Sequence, residues 1–178
     1  MKKMIFPCLA LAVVLTACST SQPMPDTLSY SDAFAAGGVD MIPENLLEGG
    51  QSPDNCVWLN AARISQDSSH NDYYLELRYA ARQEAGLLDI PPGKSLVVTA
   101  DGQEIEFRSA SGSLNNRQKK KGVLTETALF PAAPEQLRTI AAANRVTVKV
   151  VAQKATIERS FGPANSERFR KFVRTFVR

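Results

Sequence analysis

The feature that most constrains this fold is Asp101-Gly102, set between two runs of strand-like character. Lys94 to Ala100 leads in and Gln103 to Ser109 leads out, with Ile105 and Phe107 alternating with Glu104, Glu106 and Arg108. An Asp-Gly pair supplies the positive φ values of a two-residue type I′ turn, whose twist matches that of paired strands. Alternation at period two makes a strand apolar on one side and wet on the other. The stretch is therefore a β-hairpin that needs a core beneath it.

The rest of the chain offers that core in two further hairpins. Val57 to Gln66 is a moderately apolar run closed by the turn formers Asp67 to Asp72, and Tyr73, Leu75, Leu77 and Tyr79 then return at period two. Near the end, Val146, Val148 and Val150 alternate with Thr147 and Lys149, a turn falls near Gln153-Lys154, and Ile157 and Phe161 mark the return. Ser111 to Gly122 reads as a polar, basic loop, and Val123 to Phe130 as a further strand ended by Pro131 and Pro134. Pro134 suits the first turn of a helix, where its missing N–H costs nothing. That helix runs to about Ala143, with Leu137, Ile140 and Ala141 as its apolar stripe. Gly162-Pro163 opens a last helix whose Phe169, Phe172, Val173, Phe176 and Val177 repeat at helical spacing. Short connections and hairpin turns predict an α+β fold: an antiparallel sheet of three hairpin-like units with two helices packed on one face.

The N-terminus is of another kind. Lys2 and Lys3 precede an apolar run from Met4 to Ala17. At 14 residues this run is an export signal rather than a span, since a helix needs roughly 17 to 25 residues to cross a bilayer. It closes on Leu15-Thr16-Ala17-Cys18, which resembles the lipobox of bacterial lipoproteins. The resemblance implies cleavage behind Ala17, a diacylglyceryl thioether on Cys18 and acylation of its new amine. Serine at position 19, where an aspartate would mark inner-membrane retention, implies the outer membrane, facing the periplasm. Residues 1–17 are thus expected to be the signal, 18–51 the lipidated N-terminus and a flexible tether that docks a turn such as Pro43 to Leu47, and 52–178 a single domain. The element order is also similar to that of domains of uncharacterised bacterial envelope proteins, a likeness of pattern that carries no activity.

Removing Lys2 and Lys3 with the signal leaves 19 basic against 18 acidic side chains, a formal charge of +1. So balanced a chain has no general field for nucleic acid. Of three cysteines, Cys8 leaves with the signal and Cys18 is taken by lipid, so Cys56 is expected to have no partner within the chain. It reads either as a buried small hydrophobe or as a thiol able to pair with another chain. The lone His70 sits in a turn-forming loop, and neither a zinc nor a calcium spacing is present, so no metal or cofactor is expected. The densest charge cluster is Arg117-Gln118-Lys119-Lys120-Lys121. Arg117, Lys119, Lys120 and Lys121 are the candidate contacts for an envelope anion or a periplasmic protein, set against the plainer reading of a solvated loop. A non-enzymatic binding or structural role follows, with a small cell-wall or lipid hydrolase or transferase using Glu104, Glu106 or Glu126 as the alternative. Cys18→Ser should abolish acylation and leave uncleaved precursor. Mass spectrometry of the N-terminal peptide checks this, and an unlipidated mature chain starting elsewhere would refute the anchor.

Overall fold

A computed structural model describes residues 38–42, 44–49, 55–65, 71–114 and 116–178. Cys18, the signal and His70 lie outside these residues. Alternating side chains build the first sheet. In β2 (Cys56–Ser65) and β3 (Asn71–Arg82), Leu59 pairs with Leu77 and Ala61 with Leu75, all four fully buried on one face. On the other side of β3 lies β7 (Val123–Pro131), and β6 (Arg117–Lys120) forms the edge beyond it. With the short β1 (Val39–Met41) beside β2, the order is β1-β2-β3-β7-β6.

The second sheet runs β5-β4-β8-β9, from β4 (Gly93–Ala100), β5 (Gln103–Ser109), β8 (Val146–Val151) and β9 (Thr156–Ser160). Asp101 and Gly102 turn β4 into β5 with φ of 48° and 90°, both in the left-handed region that such a turn requires. Every pairing is antiparallel. The α+β class holds, while the strands divide into two sheets and four hairpins, where one sheet of three hairpin units was expected.

Helices α1 (Pro134–Ala142) and α2 (Pro163–Phe176) both place a proline in the first turn. The Gln136 side chain accepts the Ala133 N–H at 2.8 Å, and the Asn165 side chain accepts the Gly162 N–H at 2.8 Å, so each helix start is satisfied by its own sequence. Their apolar stripes complete one core shared by both sheets: Leu137 and Ile140 from α1, and Phe169, Phe172 and Val173 from α2, pack with Leu75, Leu96 and Val148. Arg170 also donates to the Ala141 and Ala143 carbonyls at 3.0 Å each, closing the C-terminus of α1, where cationic donors are favoured.

Within the expected tether, upstream of Ser52, the described residues 38–42 and 44–49 pair with both sheets. Val39 to Met41 pair with Ile64 to Ala62, Ile42 N–H donates to Ala61 O, and Leu46 bridges Trp58. Glu48 then exchanges two backbone hydrogen bonds with Ser160, at 2.9 and 3.0 Å. One short strap thereby joins β2 of the first sheet to β9 of the second. Glu44, at φ 49°, breaks the straight run between these two pairings. Asn45 fixes it: its side chain donates to Leu59 O at 2.9 Å and accepts from Asn165 at 2.9 Å, while its N–H donates to Asn60 Oδ1 at 3.0 Å.

Cys56 is buried, as one reading had it, but it is also disulfide-bonded, which corrects the expectation that it has no partner. The bond's other half lies outside the described residues. Phe172→Ala should lower stability by about 3 to 5 kcal/mol, because a buried aromatic in a shared core leaves a cavity that rigid strands cannot fill. A urea titration checks this, and a loss under about 1 kcal/mol would place that helix face outside the core.

Candidate functional site

The basic stretch is not a loop. Arg117 to Lys120 is extended and pairs with β7 in the register Arg117↔Glu126 to Lys120↔Val123. Lys121 and Gly122, at φ 50° and 78°, make the two-residue turn between them. Sequence periodicity missed this strand because its side chains are all exposed and none is apolar. The remaining signal was the glycine at 122, one residue before a clear strand.

β6 is the terminal strand of its sheet, so one side of its backbone is unpaired by any described strand. Which groups point outward follows from alternation in an antiparallel pair. Thr127 N–H donates to Asn116 O at 3.0 Å, so Asn116 faces β7. Gln118 and Lys120 then face β7 as well, and Arg117 and Lys119 direct their N–H and C=O groups outward.

The four cations are not equivalent. Arg117 is 2.8 Å from Asp89, which Lys154 also approaches at 2.8 Å. Asp89 is a non-glycine residue at φ 58°, a conformation that Asp tolerates better than most. The Lys154 hydrogen bond, followed by the charges of Arg117 and Lys154, holds the Asp89 carboxyl below its usual range. Lys119, Lys120 and Lys121 pair with no acid among the described residues. Their side chains are exposed along a strand edge that no other described strand pairs.

Beneath the strand, Glu126 secures the supporting loops. It is fully buried, and its carboxylate accepts the N–H groups of Leu88 and Asp89 and the Ser113 hydroxyl, the last at 2.7 Å. Ser113 N–H in turn donates to Ile90 O at 2.9 Å. The neighbouring Gly112 has φ 58°, and a Cβ there would lie 2.2 Å from Ile90 O, so only glycine allows the two loops to meet. Asp89, Ser113 and Lys154 were not singled out by sequence, because nothing local announces a contact between loops 24 to 65 residues apart.

The carboxylates considered for acid–base chemistry do not converge. Glu104 and Glu106 are exposed on β5, where Glu106 pairs with Lys94, whereas Glu126 is interior and saturated with donors. An open groove of about 300 Å³ lies at the far end of β7, lined by residues 71–74 and 131–134, with Asp72 as its only charged side chain. Among the described residues no three His, Cys, Asp or Glu side chains are grouped to hold a metal.

Because the folded pKa of Asp89 is depressed, its contribution to stability is complete above its unfolded pKa of about 4 and is lost as pH falls below it. Asp89→Asn, which keeps the left-handed conformation accessible, should therefore flatten the decline of stability between about pH 5 and pH 2. Urea midpoints measured across that range check it, and an unchanged slope would refute the role of the ion triad. Comparison of the chain with protein-family models, with curated proteins and with solved structures finds no match.

Proposed function

We propose that this protein is a lipid-anchored envelope protein with a non-enzymatic binding role, and that its domain takes an acidic, extended segment of a periplasmic partner along β6. The observation behind the binding role is the edge: outward backbone groups at Arg117 and Lys119 beside three unneutralised lysines. Strand addition draws affinity from main-chain hydrogen bonds, and flanking charge selects the sequence that adds. A second copy of β6 would bring lysine against lysine, which disfavours self-pairing and favours an acidic strand.

The anchor rests on Leu15-Thr16-Ala17-Cys18, and the outer-membrane address on Ser19. A thioether and a disulfide cannot share one sulfur. The mature N-terminal peptide therefore carries either lipid on Cys18 or a link to Cys56, and its mass decides the anchor.

Binding is tested with an acidic strand-forming peptide at about 0.15 M salt, where the Debye length is about 8 Å. Vesicles containing lipopolysaccharide and isolated peptidoglycan serve as competing anionic surfaces. Replacing Lys119, Lys120 and Lys121 by Gln removes three exposed charge pairs of about 0.5 kcal/mol each, so affinity should fall roughly tenfold. Lys119→Pro removes the outward N–H while leaving the β7 ladder intact, and should weaken the peptide more than Lys119→Gln does. Equal loss in the two single variants, or retention only on vesicles or peptidoglycan, would overturn strand addition.

A further inference from the structure

Positive charge is graded along β6. At the turn end, Lys119, Lys120 and Lys121 carry three cations with no acid beside them among the described residues. At the other end, Arg117 lies 2.8 Å from one carboxylate oxygen of Asp89 and Lys154 lies 2.8 Å from the other, so three side chains share a single net positive charge. The acid is held there by backbone. Asp89 N–H donates to Glu126 at 3.2 Å, Asp89 O accepts from Gln153 N–H at 3.1 Å, and Leu88 O accepts from Lys154 N–H at 3.2 Å. Asp89 is therefore a fixed part of the edge.

Alternation determines what an added strand meets. Arg117 lies opposite Glu126 and Lys119 opposite Leu124, so these two side chains leave the sheet on the side of the main core, whereas Gln118 and Lys120, opposite Thr125 and Val123, leave on the other. Each face thus presents one unneutralised lysine. Antiparallel addition matches every pairing among the described strands and is the more stable kind per residue. It sets four consecutive partner residues opposite Lys120, Lys119, Gln118 and Arg117, in that order. Opposite charges directly across a ladder stabilise it, and like charges destabilise it. The first two positions therefore take carboxylates, one on each face. The third meets an uncharged amide, and a carboxylate at the fourth would lie beside Asp89 as well as Arg117.

We infer that Asp89 sets the register of the partner: the segment that adds to β6 runs antiparallel, with two consecutive acidic residues opposite Lys120 and Lys119, then an uncharged polar residue and a neutral one opposite Gln118 and Arg117. This rests on the strand-addition reading and adds to it a charge order that net acidity alone does not require. Asp89 is a positioning residue, acting on the partner through Arg117.

The experiment compares two peptides of equal composition and charge, with cores Glu-Glu-Thr-Val and Val-Thr-Glu-Glu, each labelled and flanked on both sides by a pair of prolines. Sliding either core by two residues would bring a proline, which has no N–H to give, opposite Arg117 or Lys119. Fluorescence anisotropy at about 0.15 M salt should find the Glu-Glu-Thr-Val peptide tighter by about fivefold, the worth of two exposed charge pairs. Asp89→Asn returns the charge of Arg117 and should cut that preference below about twofold. Lys154→Gln leaves Asp89 to Arg117 alone and should widen it to about tenfold. Opposite shifts from two members of one triad distinguish charge from a loosened loop, which would move both variants the same way. Should Asp89→Asn fail to fold, Lys154→Gln alone decides. Equal affinity for the two peptides, or a preference that either folded variant leaves unchanged or moves the wrong way, would overturn this inference and leave strand addition standing. Binding of neither peptide would overturn both.

Discussion

The pairing of residues 44–49 with two strands at once holds the architecture together. β9 would otherwise end its sheet with a row of unpaired backbone groups, as would the part of β2 that β1 does not reach, and an edge left unpaired is both an energetic and an aggregation liability. The strap satisfies both, at Trp58 and at Ser160. It has little apolar area of its own beyond Leu47, so side-chain amides secure it. Asn45 is suited to this because an amide both donates and accepts: it gives a proton to Leu59 O and takes one from Asn165. An aspartate there would face the Leu59 carbonyl with a second acceptor and leave both buried. Asn165 also donates to Leu46 O at 2.7 Å and accepts at the start of α2, so the last helix and the strap are positioned by the same side chain.

A similar economy governs the other end of the first sheet. Buried Glu126 projects from β7 into two loops and gathers two backbone N–H groups and a hydroxyl, replacing the water they would otherwise keep. The loop it holds presents Asp89 to Arg117 and Lys154. Thus a buried carboxylate sets the place of an accessible one, which in turn neutralises Arg117 at the start of β6 but not Lys119, Lys120 or the Lys121 of the following turn.

Legibility followed locality. The Asp101-Gly102 hairpin was readable because its turn chemistry and alternation lie within sixteen consecutive residues, and α2 was readable because its phenylalanines repeat at helical spacing into a core. The strap was not, since its register breaks at Glu44 and its bonds come from Asn165, 120 residues away. β6 escaped for a different reason: an exposed edge strand with all four side chains exposed has no apolar period to detect. Division into two sheets was likewise invisible, because hairpins specify neighbours in sequence and leave open which hairpins share a sheet. Of the candidate contacts, the sequence located all four cations but could not show that Arg117 is already engaged.

Once the strap has joined the sheets, β5 and β6 remain, with the three-residue β1, as edges among the described strands, and β5 and β6 are protected differently. β5 carries Glu104, Glu106 and Arg108 outward, a mixture of signs, and Glu106 is paired with Lys94 on the adjacent strand. Mixed, locally neutralised charge discourages any strand from adding without favouring one partner. β6 carries charge of one sign only, on a chain whose formal net charge is +3. Protection against self-association requires charge but not that it stay unneutralised, since a surface acid could have been placed beside it at little cost. The asymmetry between the two edges is what separates an edge that only repels from one that also selects.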